Sequence, residues 1–168
     1  MQRSTEGFKL LSRLLSAMWV TIVAAAAIAP CVAGELRVGT AAVKITPPLS
    51  IPLAGYYHDR GSLGVLDDLY AKAAVLSDGK TQVALVACDL IGMPRQVALA
   101  SRQQIEQKTK IPGRCVMISA THTHTGPILP SDSGGEEYDR LSNAAARAYA
   151  AELPVRIAEA VAAAQAKL

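Results

Sequence analysis

The sequence predicts an α/β fold, a mixed β-sheet with a βαβ crossover and packed helices, and three observations lead there. Two apolar runs flank Asp78-Gly79, a residue pair suited to the tight turn of a hairpin. A stretch with helical spacing then separates the second run from a third, and a strand reached through such a crossover returns parallel to its predecessor. The last part of the chain is alanine-rich, with apolar residues at helical intervals that can cover a sheet face.

The 168 residues suffice for one domain with an apolar core, although the N-terminal segment does not read as part of it. Arg3, Lys9 and Arg13 lie in a polar lead, residues 14–28 are apolar except for Ser16 and Thr21, and small residues follow around Ala33-Gly34. That pattern predicts a secretory signal peptide over residues 1–33, cleaved near Ala33 or Gly34. The apolar run is shorter than the roughly 20 residues a spanning helix needs, so no permanent membrane anchor is expected. Pro30 directly before Cys31 is a poor match to a lipidation site. The expected product is exported, periplasmic or secreted, with residues 34–168 as its folded part.

Removing residues 1–33 takes away three basic residues and one acidic residue, so the formal charge falls from +3 to +1. No Lys/Arg run remains, and the sole tryptophan, Trp19, leaves with the leader, which argues against nucleic-acid binding. Export would permit a disulfide between Cys88 and Cys115. Placed late in one strand and early in its parallel neighbour, however, they would lie beyond the ~7 Å reach of a bridge, so two buried free thiols are expected.

Taken in order, residues 36–45 form an opening strand that Pro47 and Pro48 stop. Residues 49–69, with Pro52, Gly55, Gly61 and Gly64, make a long ordered loop of the kind that lines sites. Residues 70–76 and 81–90 form the hairpin. Its second strand is apolar throughout residues 83–88, as a central strand covered on both faces would be, and ends at Asp89. Pro94 sits where a first helical residue would, Val97, Ala98, Ser101 and Ile105 keep helical spacing, and Ile111-Pro112-Gly113 ends the crossover helix. Residues 114–120 supply the next strand. In the final third, Ile157, Val161, Ala164 and Leu168 repeat at helical intervals, and Pro154 is expected to start or kink that helix.

The chemistry concentrates at Thr121-His122-Thr123-His124, where the last predicted strand ends. Ligands of open α/β sheets bind outside the carboxyl ends of the strands. Histidines at i and i+2 on extended backbone share a side, so both can face one ligand, or one can hold a metal while the other faces a substrate. The spacing alone equally fits a hydrogen-bonded structural pair. Two readings suit Asp89: a carboxylate beside the pair that orients an imidazole, or a cap for the turn before the helix.

The string Ser119-Ala120-Thr121-His122-Thr123-His124-Thr125-Gly126-Pro127 closely resembles the signature of the neutral, non-lysosomal ceramidase family. Ile45-Thr46-Pro47, Leu53-Ala54-Gly55-Tyr56, Leu69-Tyr70-Ala71-Lys72-Ala73 and Cys88-Asp89-Leu90 extend the resemblance in order over the chain. It implies the N-terminal portion of a ceramidase-like catalytic domain, and a zinc-dependent hydrolase of ceramide-like N-acyl amides in sphingolipid metabolism, acting on an amphipathic lipid amide. By position, it makes His122 a zinc ligand and places His124 in the catalytic pocket near the substrate carbonyl. The family draws its other ligands, a His, a Glu and a Tyr, from sequence beyond residue 168. The resemblance therefore also implies a partial domain, completed by a missing C-terminal portion or partner chain, or else a catalytically incomplete fragment acting as a binding module.

Of the remaining candidates, His58 in the long loop either approaches the pocket or is solvated, and Asp132, Glu136 and Glu137 either act as oxygen ligands or are solvated. A serine or thiol hydrolase finds little support, because Cys88 and Cys115 lack a Cys/His signature and Ser119 lacks the Gly-x-Ser-x-Gly elbow.

Overall fold

The sheet grows from the hairpin outward. In a computed structural model describing residues 34–56, 58, 60–130 and 143–168, the Asp78 carboxylate accepts the backbone N–H groups of Lys80 and Thr81, at 2.9 and 2.6 Å, while Gly79 takes a φ of 86°. That turn joins β2 (Tyr70–Ser77) to β3 (Gln82–Cys88) in antiparallel register. The opening strand β1 (Arg37–Lys44) pairs antiparallel with the outer side of β2. The predicted leader over residues 1–33 lies outside the described residues.

Helix α1 (Arg95–Thr109) makes the crossover, and β4 (Val116–Ala120) returns parallel to β3, giving a four-stranded sheet of order β1-β2-β3-β4. Pro94 is the N-cap rather than the first helical residue, and Lys110 ends the helix in the left-handed conformation with a φ of 65°. Val97, Ser101 and Ile105 are buried, as their spacing predicts, together with Thr109, while Ala98 is only half-buried. A short 3-10 turn at Gly113–Cys115 delays the start of β4, which leaves Cys115 half-buried rather than buried. Both described cysteines are free.

Helix α2 (Ala144–Gln165) starts at Asn143, whose side chain accepts the Ala146 N–H at 2.9 Å. Pro154 therefore does not start the helix. It lies buried in its interior, beside a cavity of about 330 Å³ shared with Gln96, Val97 and Ala100 of α1. Near its end α2 approaches β1 so closely that a Cβ on Gly39 would lie 2.0 Å from the Ala164 carbonyl oxygen, so only glycine fits there. Tyr149, whose hydroxyl donates to the Ile45 carbonyl, ties the helix to the start of the long loop.

The core fills one face of the sheet. Ala71, Ala73, Val75, Ala84, Val86, Cys88 and Val116 pack with Val97 and Ile105 of α1 and with Leu153, Ile157 and Val161 of α2. On the opposite face Val38, Val83, Leu85 and Met117 are 51, 37, 40 and 56% exposed. The expectation that β3 is covered on both faces is thus corrected: β3 is central in the sheet, but its second apolar face has no layer over it among the described residues.

A candidate histidine site at the strand ends

β3 and β4 both end toward the same loops. The parallel pairing runs one step past β4, with the Thr121 N–H donating to the Cys88 carbonyl at 2.9 Å, and the Thr123 N–H donates to Leu90 at 3.0 Å. Between those bonds His122 takes a φ of 62°. The backbone is therefore not extended across the pair, and the alternation rule for i and i+2 does not apply. A turn brings the rings together instead, edge to face, with centroids 5.3 Å apart.

His122 Nδ1 lies 2.9 Å from the Ile91 carbonyl oxygen. A carbonyl only accepts, so this bond requires the proton on Nδ1 and leaves the Nε2 lone pair of the neutral ring available. A backbone carbonyl on the second nitrogen is also the usual way a metal-binding imidazole is oriented. His124, exposed, lies against Gly55, where the φ is 88° and a Cβ would come 2.4 Å from His124 Nδ1.

The long loop holds this turn from the far side. Leu53 bridges Pro127, the Ala54 N–H donates to Gly126 at 2.8 Å, and the Thr125 N–H donates back to Ala54 at 3.0 Å. Thr125 has a φ of 67°, a conformation that branched side chains rarely adopt. Gly55 and Ile91 are the site residues that sequence reasoning left without a role. Gly55 stood inside the quoted Leu53-Ala54-Gly55-Tyr56 string, whereas a backbone carbonyl leaves no trace in residue type.

Asp89 sits beside the turn but on neither imidazole. Its carboxylate accepts the Tyr70 N–H at 3.0 Å, pairs with Lys72 at 3.2 Å and lies 3.3 Å from the Thr121 hydroxyl, which is 2.7 Å from that of Thr123. Through these contacts Asp89 clamps β2 to β3 and reaches the histidine turn by way of Thr121. The N-cap of α1 is Pro94, with no side-chain bond. Burial, followed by the neighbouring Asp89 charge, pushes the Cys88 thiol up to about 12, which makes it a poor nucleophile.

His58 is exposed, with its ring 6.0 Å from that of Tyr56. Asp132, Glu136 and Glu137 lie outside the described residues. Among the described residues no group of three or more His, Cys, Asp or Glu side chains is placed to hold a metal. The donors His122 and His124 fit zinc by type but supply at most two of the three protein ligands usual at a catalytic zinc.

No protein-family model matches the chain, and no curated protein sequence does. Its fold does match solved structures. A neutral ceramidase from Pseudomonas aeruginosa superposes with a TM-score of 0.64 at 23% identity, over 79% of this chain and 22% of that one. A ceramidase complexed with C2 superposes with a TM-score of 0.63 at 23% identity, over 79% of this chain and 21% of that one. The fold is ceramidase-like, and the chain spans about a fifth of the length of the structures it matches.

Proposed function

We propose that this chain carries the histidine turn of a zinc-dependent hydrolase of ceramide-like N-acyl amides, exported through its N-terminal segment. The observation that carries the reading is His122: left-handed at a strand end, fixed through Nδ1 to Ile91, with Nε2 available beside His124. His122 is assigned as a metal ligand. His124 is assigned to the substrate carbonyl, where an imidazole N–H can stabilise developing negative charge. A zinc ion held with the help of His122 would supply activation of water and polarisation of a carbonyl, both of which amide hydrolysis needs. Asp89 acts at one remove, holding Thr121 and with it the turn. Further ligands would come from a C-terminal portion or a partner chain.

A second reading, a catalytically incomplete module that binds a partner, draws on the shortage of donors and on the open sheet face, because exposed apolar patches mark interaction surfaces. Zinc content of the purified chain beside the His122→Ala variant separates the two. About one zinc per chain, lost in the variant, together with release of fatty acid from a short-chain N-acyl sphingosine, would support the hydrolase reading with the site completed within this chain. Zinc-free protein unaffected by the substitution would mean that this chain alone is not the hydrolase.

A further inference from the structure

The loop between β1 and β2 braces the histidine turn at its base and presents apolar side chains at its tip. Backbone bonds from Ser50 to the Ser62 carbonyl and from Ser62 to Ile51, at 3.0 and 3.2 Å, close the neck. Beyond it Leu63 and Leu66 are 93 and 102% exposed and Val65 50%, and a Cβ built on Gly64 meets nothing within 4 Å. The loop then returns to the sheet, with Asp68 bonded to Thr46 and Leu69 accepting the Ile45 N–H. Single exposed leucines are ordinary, but two fully exposed ones with a valine between them on one short excursion form a concentrated patch.

The surroundings suggest which kind of surface would cover it. Of the nearby charges, Lys44 pairs with Asp68 at 2.7 Å and Lys72 with Asp89 at 3.2 Å, while exposed Asp67, next to Leu66, and Arg60 stand outside these pairs. Tyr56, itself partly exposed, carries the Arg60 guanidinium 4.8 Å above its ring. Apolar side chains at a tip, with an aromatic ring and a cation behind them, are the arrangement that settles at a lipid–water boundary. We infer that residues 63–66 dock this end of the molecule on a lipid surface, with Leu63 and Leu66 entering the acyl region and Tyr56 and Arg60 at headgroup depth. Because Arg60 and Asp67, the described charges here outside those pairs, are opposite in sign, the docking is driven by apolar burial and depends little on lipid charge or salt.

This rests on the lipid-amide reading for its purpose only. The test places a probe at the tip of the full chain: Leu66→Trp in a Trp19→Phe background, with and without Leu63→Ser, mixed with phosphatidylcholine vesicles, some containing anionic phosphatidylglycerol. Emission should shift to the blue and be quenched by brominated lipid in both vesicle types, at low and high salt. Leu63→Ser should weaken that response about tenfold, the factor expected for burying one leucine. Leu63 is exposed, so the substitution leaves the core untouched, and an unchanged thermal melt checks this.

Emission that stays water-like while the chain sediments with vesicles would overturn the inference, since another segment would then be binding. So would a blue shift that grows with protein concentration without vesicles, which would assign the tip to a second copy, or a response confined to anionic vesicles and lost in salt. Hydrolysis of a dispersed short-chain amide with the tip still in water would remove this inference alone; docking without zinc or hydrolysis would remove the proposed activity alone.

Discussion

Gly55→Ala perturbs the site at one atom. At a φ of 88° an alanine pays the left-handed backbone cost of roughly 1–2 kcal/mol. Its Cβ would also lie 2.4 Å from Nδ1 and 2.7 Å from Cγ of His124, well inside contact distance. Rotation of the exposed ring relieves the ring contacts, and the His124 Cβ at 3.0 Å must give by a few tenths of an ångström, so the clash adds a little to the loss of stability and removes His124 from its position beside His122. Gly79→Ala is the matched control, with a φ of 86° and nothing within 4 Å of the new Cβ. Urea unfolding should show both variants destabilised by a similar amount, about 1–2 kcal/mol. In two-dimensional NMR only Gly55→Ala should shift the His124 ring resonances, and any amide hydrolysis should fall about tenfold or more, as expected when a reacting group is misplaced. Unmoved His124 resonances in Gly55→Ala, or equal shifts in both variants, would refute the assignment of Gly55 as the seat of His124.

Two further outcomes are expected. Native-state alkylation with iodoacetamide, read by peptide mass mapping, should modify half-buried Cys115 well before Cys88, whose thiol is buried and pushed up to about 12; comparable rates would mean the sheet opens at Cys88. Asp68, held by Lys44 and then Thr46, and Asp78, held by the Thr81 and then Lys80 backbone N–H groups, both have a pKa below the ordinary 3.8. A depressed carboxylate stabilises the fold fully above its unfolded pKa and loses that contribution as pH falls through the folded value, so stability from these groups should decline below about 3.8. Asp68→Asn with Asp78→Asn should flatten that acid limb in urea titrations, and an unchanged slope would count against both bonds.

The parts of the fold legible in the sequence are those set by local chemistry. Asp78-Gly79 specified its turn, the prolines at 47 and 48 stopped β1, and the spacing of Val97, Ser101 and Ile105 matched the buried stripe of α1. What escaped depended on distant partners. An apolar run over residues 83–88 reads the same whether or not a second layer covers it, and here Val83 and Leu85 face outward. Asp89 stands near the histidines as its strand position implied, but Tyr70 and Lys72, one strand away, occupy its oxygens. The histidine pair was legible as a site at the end of its strand and not as a geometry, since nothing in its residue types announced that His122 would turn left-handed.

That left-handed turn bears on the choice between a site and a bare scaffold. A connection that only joined β4 to the following loop would be served at lowest cost by glycine at position 122, and glycine is at hand at 126. His122 and branched Thr125 instead hold φ values of 62 and 67°, each at roughly 1–3 kcal/mol of strain. Backbone bonds to Cys88, Leu90 and Ala54, contributed by the end of β3 and by the long loop, pin the turn on both sides and offset that strain. The result keeps one imidazole nitrogen bonded to Ile91 and the other available, next to a second imidazole seated on Gly55. Strain held at two positions, around two oriented rings, at the carboxyl ends of parallel strands, is the pattern expected where a fold positions side chains for a ligand.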